Sequence, residues 1–508
     1  MGVTMTTTEW LVAAQQPALI AVVGAGIMGA GIAQVAAQAG HEVLLLDLRE
    51  GAAAAAIAQI GQALEGQVAK GRMTAADRAA LLARIKPAAA LAELAQAALV
   101  IEVIVEKLEP KQTLLRELDA MLPAGALIAT NTSSISVTAL ANGMQRPQRL
   151  VGMHFFNPVP VMKLVEVVSG SETQADVAEV IAALAQRWGK TPVHAKSTPG
   201  FIVNRIARPF YAEALALLQE QAATPAVFDR ALRSAGFRMG PCELMDLIGH
   251  DTNYLVTQSV FEANYGDKRY QPSLVQKALL DGGRLGRKVG QGFYAGALEA
   301  PAAVQPPSAA LAHIDVVGRG ALVDDLAAWL THRGLIFTRG ESANWTGLVI
   351  GDTHVHLSRG VSAAQLAHDR EHPELAVMDW PLAPERINGL ALAFAPKTSS
   401  TSREQVADVW RALGWEPLLL RDVPGLAVAR TVAMLINEGC DAVWQGVCDQ
   451  ASADLAVKLG LNYPAGPFEW LTQVGPEMVV DLLDGLFAAY RSERYRVSPL
   501  LQQQRWNC

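Results

Sequence analysis

The stretch LIAVVGAGIMGAGIAQVAAQAGHEVLLLD, residues 19–47, decides the fold of the N-terminal part of the chain. Its apolar run Leu19–Val23 is typical of a buried strand, and the glycine-rich turn that follows leads into an alanine-rich helix that Gly40 can end. A second apolar run then ends at Asp47. This order of strand, glycine turn, helix and strand predicts a dinucleotide-binding βαβ unit.

Three glycines in the turn have the spacing that a bound pyrophosphate requires. The first permits the tight turn, the second lets the backbone approach the phosphates, and the third lets the helix pack closely on the strand. The phosphates would bind backbone N–H groups at the helix N-terminus, where the helix dipole favours negative charge. Asp47 can accept hydrogen bonds from both ribose hydroxyls and would repel a 2′-phosphate, which favours NAD over NADP. The cofactor-binding residues predicted in this unit are Gly24, Gly26, Ile27, Met28, Gly29 and Asp47.

Composition and charge exclude several other classes of protein. The chain has 508 residues, 51% hydrophobic and 18% charged, as in a folded enzyme of about three or four domains. Its net charge of −7 argues against a nucleic-acid partner. Residues 18–40 carry no charge, but their five glycines argue against a membrane span, and the first 16 residues lack the basic start of a signal peptide. The four cysteines are scattered, which favours a reducing cytoplasm.

Strands and helices alternate up to about residue 197, which predicts an α/β, doubly wound, mostly parallel sheet. A long helical pattern follows Asp47 up to about Pro87. From Pro199 to about Tyr294 the patterns are helical only, which predicts an all-α domain. Between Pro87 and residue 197, we expect strands over 99–103, 126–129, 150–153 and 164–168, with helices over 111–122 and 175–188.

The second half of the chain repeats part of the first. The motif PGFIVNR at 199–205 aligns with PGLAVAR at 424–430, an offset of 225 residues. Ala429 stands where the first copy has Asn204, so a polar side chain is lost. This agreement predicts a duplicated helical domain. The same register aligns Glu213 with Glu438, Asp229 with Asp454 and, after a one-residue insertion, GPCE at 240–243 with GPFE at 466–469.

Residues 313–340 have the pattern of a worn strand–turn–helix–strand unit. Gly318 and Gly320 survive there, but Val323 occupies the place of the third glycine, which argues against cofactor binding. The proline- and alanine-rich stretch before this unit is typical of a linker. The predicted organisation is an N-terminal tail (1–16), a Rossmann domain (17–197), a helical domain (198–296), a linker (297–311), a degenerate Rossmann-like domain (312–422) and a second helical domain (423–508).

Polar residues follow two of the predicted strands. The segment Asn-Thr-Ser-Ser at 131–134 comes after the strand that ends at Ala129, at the sheet edge where open α/β sheets bind ligands. The alternative is that it only caps the next helix. His154 follows another strand, and Glu166 interrupts the apolar run LVEVV, where an unpaired carboxylate would be costly. A His154–Glu166 pair would give a general base, whereas the alternative is a structural histidine with Glu166 at a sheet edge.

These motifs together resemble a known family. NTSSIS, GMHFFNPVPVMKLVEVV, TPGFIVNR and GPCELMDLIGHD, in this order after the glycine turn, are similar to those of the 3-hydroxyacyl-CoA dehydrogenases over residues 19–294. The resemblance implies that His154 accepts the proton of the substrate 3-hydroxyl, that Glu166 orients His154, and that the substrate is the L (3S) isomer. It further implies that Ser133 and Asn204 bind the C3 oxygen, and that the NAD site is also lined by Glu106, Lys111, Ser133, Asn157 and Lys288.

Two further assignments depend on this resemblance. Lys70 matches a position that contacts the CoA nucleotide, although Ala63 departs from a neighbouring polar position of the family, and a solvated helix lysine is the alternative. The two-module arrangement is similar to that of the long bacterial form associated with phenylacetate catabolism, which oxidises 3-hydroxyadipyl-CoA. We therefore expect the two helical domains to pack as an intramolecular pseudo-dimer, which leaves a further homo-oligomer open.

Several alternatives remain at this stage. The substrate could instead be 3-hydroxybutyryl-CoA or a fatty acyl-CoA, and Arg205 and Arg208 are candidates for binding a terminal carboxylate. More remote alternatives are a sugar-acid dehydrogenase and a non-catalytic NAD- or acyl-CoA-binding scaffold, whose sign would be loss of His154 or Glu166. We predict no metal, because the histidine pairs 354/356 and 368/372 have no third ligand motif nearby.

Overall fold

The structure is a computed structural model that describes residues 18–296, 303–340 and 344–507. The predicted N-terminal tail lies outside these residues, as does the start of the predicted linker, 297–302. The chain forms two compact units. The first is Met1–Val203 with Gly446–Leu461, and the second is Asn204–Gln445 with Asn462–Cys508.

An eight-stranded sheet forms the centre of the first unit, in the order β3-β2-β1-β4-β5-β6-β7-β8. Neighbouring strands are parallel except β6 and β7, which are antiparallel. The order reverses at β1 and β4, and at this switch point open α/β sheets bind their ligands. The strands are Leu19–Val23 (β1), Glu42–Leu46 (β2), Ile85–Ala88 (β3), Leu99–Glu102 (β4), Leu127–Thr130 (β5), Leu150–Phe155 (β6), Leu164–Ser169 (β7) and Thr191–Lys196 (β8).

Helices cover the faces of this sheet, and apolar side chains of both layers form one buried core. The continuous helical pattern predicted up to Pro87 is wrong in its last part, because β3 occupies Ile85–Ala88. This strand is four residues long, lies at the sheet edge and has two exposed positions, so it is too short to show a strand periodicity. The helices are Ile27–Gln38 (α1), Ala52–Ala69 (α2), Ala75–Ala83 (α3), Leu108–Met121 (α4), Val137–Leu140 (α5) and Ala175–Arg187 (α6).

The second unit begins with the all-α region that the sequence predicts. Two of its helices, Arg208–Gln219 and Val428–Trp444, pack against each other, although they come from different halves of the chain. The helices of the first half are Val203–Ile206 (α7, whose first residue belongs to the first unit), Arg208–Gln219 (α8), Pro225–Ser234 (α9), Pro241–Ile248 (α10), His250–Ala263 (α11) and Leu274–Asp281 (α12).

A second sheet lies within the second unit, in the order β10-β9-β11-β12-β13-β14-β15. It mixes parallel and antiparallel pairs, whereas only one pair of the first sheet is antiparallel. Its elements are Ile314–Val317 (β9), Ala321–His332 (α13), Thr338–Gly340 (β10), Gly347–Ile350 (β11), Thr353–Leu357 (β12), Ala363–Asp369 (α14), Leu375–Met378 (β13), Gly389–Phe394 (β14), Ser400–Ala412 (α15) and Glu416–Leu419 (β15).

The C-terminal helices complete both units. One of them, α17, packs on β7 and β8 of the first unit, while α9 packs on β14 of the second sheet. The predicted order of an α/β domain, an all-α domain, a degenerate α/β segment and a second all-α domain is confirmed. These helices are Val428–Trp444 (α16), Gln450–Leu461 (α17), Pro467–Val474 (α18), Pro476–Tyr490 (α19) and Pro499–Trp506 (α20).

Buried ion pairs connect the two helical repeats inside the second unit. Glu438 accepts a hydrogen bond from Arg205 Nε at 2.6 Å, and Glu213 accepts one from Arg430 Nε at 2.8 Å. Because the offset of 225 residues relates Arg205 to Arg430 and Glu213 to Glu438, the two pairs are exchanged between the repeats. Two tyrosine hydroxyls repeat this exchange, with Tyr270 bonded to Glu438 and Tyr495 to Glu213.

Candidate active site

The glycine turn between β1 and α1 has the close backbone contacts that its sequence predicts. Gly24 has a φ of +113°, and a Cβ placed there would lie 2.4 Å from the carbonyl oxygen of Val103. A Cβ on Gly29 would lie 1.8 Å from the Gly24 carbonyl oxygen, so only glycine allows α1 to begin here. A Cβ on Gly26 would meet no protein atom within 4 Å, which leaves the backbone open to a ligand.

Two apolar side chains and one carboxylate lie around this opening. Ile27 is 79% exposed and Met28 is half-buried in the first turn of α1. Asp47, just after β2, accepts hydrogen bonds from the Ala25 N–H at 2.8 Å and from the Arg49 side chain at 3.0 Å. The Arg49 hydrogen bond lowers the pKa of Asp47 to about 2, so the carboxylate is charged at neutral pH.

Glu106 organises the loop that follows β5. Its Oε1 accepts hydrogen bonds from the Thr132 hydroxyl at 2.6 Å and the Ser133 N–H at 2.9 Å. Its Oε2 lies 3.1 Å from Lys111 Nζ. Burial alone would raise the pKa of Glu106, but the Lys111 charge and the hydrogen bonds outweigh burial and lower it. The ionised carboxylate therefore holds half-buried Ser133 in a fixed place.

Lys111 is buried rather than exposed to a ligand, with 2% of its side chain accessible. Its Nζ donates to Glu102 Oε1 at 2.7 Å, and Glu102 Oε2 accepts from the Thr130 hydroxyl at 2.6 Å. Glu102 is not among the residues predicted from the sequence. The signal was present, because Glu102 ends the apolar run LVIE and a buried carboxylate there requires a partner, as Glu166 does in LVEVV.

The antiparallel pair β6/β7 places His154 directly opposite Glu166. His154 Nδ1 lies 2.6 Å from Glu166 Oε2, and both side chains are buried. Glu166 Oε1 accepts the backbone N–H groups of Ile202 at 3.0 Å and Val203 at 2.9 Å. The pair proposed from two residues 12 positions apart is thus a direct contact. Since the carboxylate accepts from Nδ1–H, Nε2 is the imidazole atom that can take a proton.

The other predicted site residues lie in several places. Asn157 is exposed shortly after β6, and Lys70 is exposed at the C-terminal end of α2. Asn204 and Lys288 belong to the second unit. Asn204 is half-buried, and Lys288 Nζ lies 2.5 Å from both carboxylate oxygens of Asp251.

Comparison with known proteins gives the same order of domains. The model of the 3-hydroxyacyl-CoA dehydrogenase NAD-binding domain matches residues 19–198, and the C-terminal domain model matches 200–296 and again 425–505. The reduced Rossmann-fold domain of 3-hydroxybutyryl-CoA dehydrogenase matches 355–424. The chain is 43% identical to the 3-hydroxyadipyl-CoA dehydrogenase of Escherichia coli (strain K12), over 96% of this chain and 97% of that one. The chain belongs to the 3-hydroxyacyl-CoA dehydrogenase family. It is an NAD-dependent oxidoreductase, and its substrates are acyl-CoA thioesters.

Solved structures agree with this placement of the dehydrogenase. A 3-hydroxybutyryl-CoA dehydrogenase from Escherichia coli K12 is 41% identical, with a TM-score of 0.89 over 97% of this chain and 99% of that one. A (S)-3-hydroxybutyryl-CoA dehydrogenase from Ralstonia eutropha is 37% identical, with a TM-score of 0.54 over 56% of this chain and 100% of that one. The open backbone at Gly26 and the ionised Asp47 fit the NAD that the family binds.

The second half of the dehydrogenase has lost the histidine–carboxylate pair. The strand registers show that the offset of 225 residues also relates β7/β8 to β14/β15, so Glu166 corresponds to Ala391. Asp379, paired with Ala391 through its backbone, stands in the place of His154. It accepts the N–H groups of Ala427 and Val428, the equivalents of Ile202 and Val203. The copy has kept an acceptor for these N–H groups and lost the histidine.

The sequence predicts neither a metal site nor a membrane span. Among the residues that the structure describes, no cluster of three or more histidine, cysteine or acidic side chains is arranged for a metal ion. His354 instead stacks on His372, with ring centroids 4.0 Å apart. None of the described helices is both long and apolar enough to cross a membrane.

Proposed function

We propose that this dehydrogenase oxidises the 3-hydroxyl of (3S)-3-hydroxyadipyl-CoA, with His154 as the general base. The observation that supports the base is the 2.6 Å contact between His154 Nδ1 and Glu166 Oε2. This contact fixes the tautomer with a proton on Nδ1, so that Nε2 accepts the proton of the substrate hydroxyl. Glu166 then stabilises the imidazolium that forms. NAD, when bound, accepts the hydride that leaves C3.

The remaining residues bind and orient the substrate and the cofactor. Ser133 and Asn204 donate hydrogen bonds to the C3 oxygen and hold the hydroxyl towards His154. Glu106, paired with buried Lys111, keeps the Ser133 loop in place. The glycine turn and Asp47 bind the adenosine and pyrophosphate portion of the cofactor, and Asn157 and Lys288 line the same site. Lys70, exposed at the end of α2, binds the CoA nucleotide.

The name of one relative supports this substrate, and the name of a solved structure supports a different one. The Escherichia coli relative that matches nearly the whole chain is named for 3-hydroxyadipyl-CoA. A solved structure of similar coverage is named for 3-hydroxybutyryl-CoA, which makes that substrate the second candidate. A series of 3-oxoacyl-CoA substrates, assayed by NADH consumption, separates them. We expect the highest kcat/KM with 3-oxoadipyl-CoA, and a higher value for acetoacetyl-CoA would overturn the assignment.

Substitution of the base tests the mechanism. We expect His154→Gln to lower kcat by about 10³-fold or more, since general-base catalysis and hydroxyl orientation are both lost. NADH affinity, measured by fluorescence titration, should stay nearly unchanged. His194→Gln is the matched control, because His194 is an exposed histidine on β8 of the same sheet. Retained turnover in His154→Gln would refute the assignment.

We also propose that the dehydrogenase works in the cytoplasm, in agreement with its scattered cysteines. The exchanged ion pairs between the helical repeats support an intramolecular pseudo-dimer. Analytical ultracentrifugation of the full chain would test the pseudo-dimer. An active monomer would agree with it, whereas a dimer that becomes inactive when it dissociates into single chains would contradict it.

A further inference from the structure

One buried arginine in the second unit has no counter-charge. The described residues include five buried arginines, and four of them pair with carboxylates. Arg208 is the fifth, with 5% of its surface exposed, and no acidic residue that the structure describes lies within ion-pair distance of it. The four pairs are Arg149 with Asp119, Arg205 with Glu438, Arg269 with Glu438, and Arg430 with Glu213.

The contacts of Arg208 hold its guanidinium but do not neutralise it. Nε donates to the backbone carbonyl of Asn204 at 2.9 Å, and Nη1 donates to the Thr257 hydroxyl at 3.0 Å. The guanidinium carbon lies 5.0 Å from the centre of the Tyr211 ring. Burial lowers the pKa of Arg208, but a guanidinium remains protonated at neutral pH. A buried charge of this kind is costly unless an anion binds to it.

Arg208 lines a pocket of about 250 Å³ in the second unit. Leu215 and Leu274 supply apolar surface, while Thr257 and Gln276 supply polar groups. The pocket contains a second arginine, Arg494, but Glu213 neutralises it at 2.7 Å. No acidic side chain lines the pocket among the described residues. The pocket therefore offers one uncompensated guanidinium beside apolar walls.

Comparison with the internal copy separates the structural residues on α7 and α8 from the others. Arg205 and Glu213, which form the interface between the repeats, are kept as Arg430 and Glu438. At the same offset Ala429 replaces Asn204, and Ala433 replaces Arg208. The second repeat packs in the same manner without Arg208, so the helical fold does not require this arginine.

We propose that Arg208 binds the terminal carboxylate of a dicarboxylic acyl chain whose C3 oxygen is held by Asn204. This inference rests on the proposed function. The Arg208 guanidinium lies beside Asn204, because its Nε donates to the Asn204 backbone carbonyl at 2.9 Å. In a six-carbon acyl chain, the carboxyl carbon lies three bonds, roughly 4 Å, beyond C3, so it can extend from Asn204 towards this neighbouring guanidinium. A four-carbon chain has no group that reaches the guanidinium. Of the two arginines that the sequence left as candidates, Arg205 is committed to Glu438 and Arg208 is available.

Variants and matched substrates test this proposal. 3-Oxoadipyl-CoA and 3-oxohexanoyl-CoA have the same chain length and differ in the terminal carboxylate, and acetoacetyl-CoA lacks the chain end. We expect Arg208→Gln to lower kcat/KM for 3-oxoadipyl-CoA by about 10- to 100-fold, the range of a charge-assisted hydrogen bond, and the other two by less than about threefold. Thr257→Val, which removes only a hydrogen-bond partner of Arg208, should lower the 3-oxoadipyl-CoA value by about three- to tenfold.

Each outcome of this experiment is decisive. A loss confined to the carboxylate-bearing substrate supports the pocket, and unchanged turnover of acetoacetyl-CoA shows that the variant is folded. Equal losses on all three substrates would make Arg208 structural and overturn the proposal. If the wild type prefers 3-oxoadipyl-CoA and both variants keep that preference, the pocket assignment alone fails. If the wild type shows no preference between the two six-carbon substrates, the proposed substrate fails, and this inference fails with it.

Discussion

At the scale of single residues, Glu166 has two tasks that the internal copy separates. One carboxylate oxygen contacts His154, and the other accepts the N–H groups of Ile202 and Val203. In the second half Asp379 accepts the equivalent N–H groups although no histidine is present there. An acceptor at this point is therefore part of the fold, and in the mechanism that we propose only the contact with His154 serves catalysis.

We expect Glu166→Gln and Glu166→Ala to differ for this reason. The glutamine oxygen can still accept both N–H groups, but its amide donates to His154 Nδ1 and moves the proton to Nε2. We expect kcat to fall by roughly 10³- to 10⁴-fold, as when a triad aspartate becomes asparagine, with a melting temperature near that of the wild type. Alanine leaves two buried donors unsatisfied at about 1–3 kcal/mol each, so Glu166→Ala should also lower the melting temperature.

Steady-state kinetics and thermal unfolding check this pair of variants. Glu172→Gln, an exposed carboxylate just after β7, is the control for both measurements. Equal melting temperatures for the glutamine and alanine variants would contradict the second task of Glu166.

The contact between Asp47 and Arg49 leads to a prediction about cofactor choice. Because Arg49 lowers the pKa of Asp47 to about 2, the carboxylate stays charged and NAD affinity should be independent of pH between about 5 and 8 as far as Asp47 is concerned. Asp47→Asn removes the charge that repels a 2′-phosphate and frees the Arg49 guanidinium. We expect the ratio of kcat/KM for NADP to that for NAD to rise by at least about tenfold.

Initial rates with both cofactors measure this ratio, and Glu50→Gln, an exposed neighbouring carboxylate, is the matched control. A ratio that stays constant in Asp47→Asn would show that another group excludes the phosphate.

At the scale of elements, the helix α17 completes the first unit although it lies near the C-terminal end of the chain. It packs on β7 and β8, and the Lys196 N–H donates to the Val447 carbonyl just before it. Gly460 lies at the contact, where an added Cβ would be 2.8 Å from Leu164 Cδ2 and 3.1 Å from Val203 Cγ2. The close approach of helix and sheet explains why glycine is tolerated inside this helix.

Two glycine-to-alanine variants test this contact. In Gly66→Ala the new methyl meets no atom within 4 Å on exposed α2, so we expect a gain of about 0.5–1 kcal/mol in stability from helix propensity alone. In Gly460→Ala the same gain is offset by the clash with the sheet, and we expect a lower melting temperature. Differential scanning fluorimetry compares the two variants, and equal stabilisation would contradict the proposed close packing.

The elements also show what sequence could predict and what it could not. The glycine turn, the strands around it and the His154–Glu166 pair were predictable, because each depends on a local pattern or on the cost of a buried charge. The edge strand β3 was missed because four residues carry too little periodicity. The docking of α17 on β7 and β8 was also beyond reach, since a repeat in the sequence does not say which copy a helix packs against.

At the scale of the whole molecule, duplication has placed both halves of a symmetric helical interface in one chain. The sequence offset related Arg205 to Arg430, but it could not show that each arginine binds the glutamate of the other repeat. Burial alone would raise the pKa values of Glu213 and Glu438, but the neighbouring arginines outweigh burial and lower them. These carboxylates therefore stabilise the fold when they are ionised.

We expect Glu213→Gln and Glu438→Gln to destabilise the second unit by similar amounts, about 3–5 kcal/mol each, because each removes a buried carboxylate that two arginines share. In each variant one arginine, Arg494 or Arg205, loses its counter-charge. Glu262→Gln, an exposed carboxylate on α11, should have almost no effect. Since the folded pKa values are depressed, the stabilisation is complete above the unfolded pKa of about 4.3 and is lost as pH falls through the folded value. Melting temperatures from pH 7 to pH 3.5 should show the difference between the wild type and both variants narrowing towards the acidic end. A large loss in one variant and none in the other would mean that the two pairs do not contribute equally, despite their exchanged geometry.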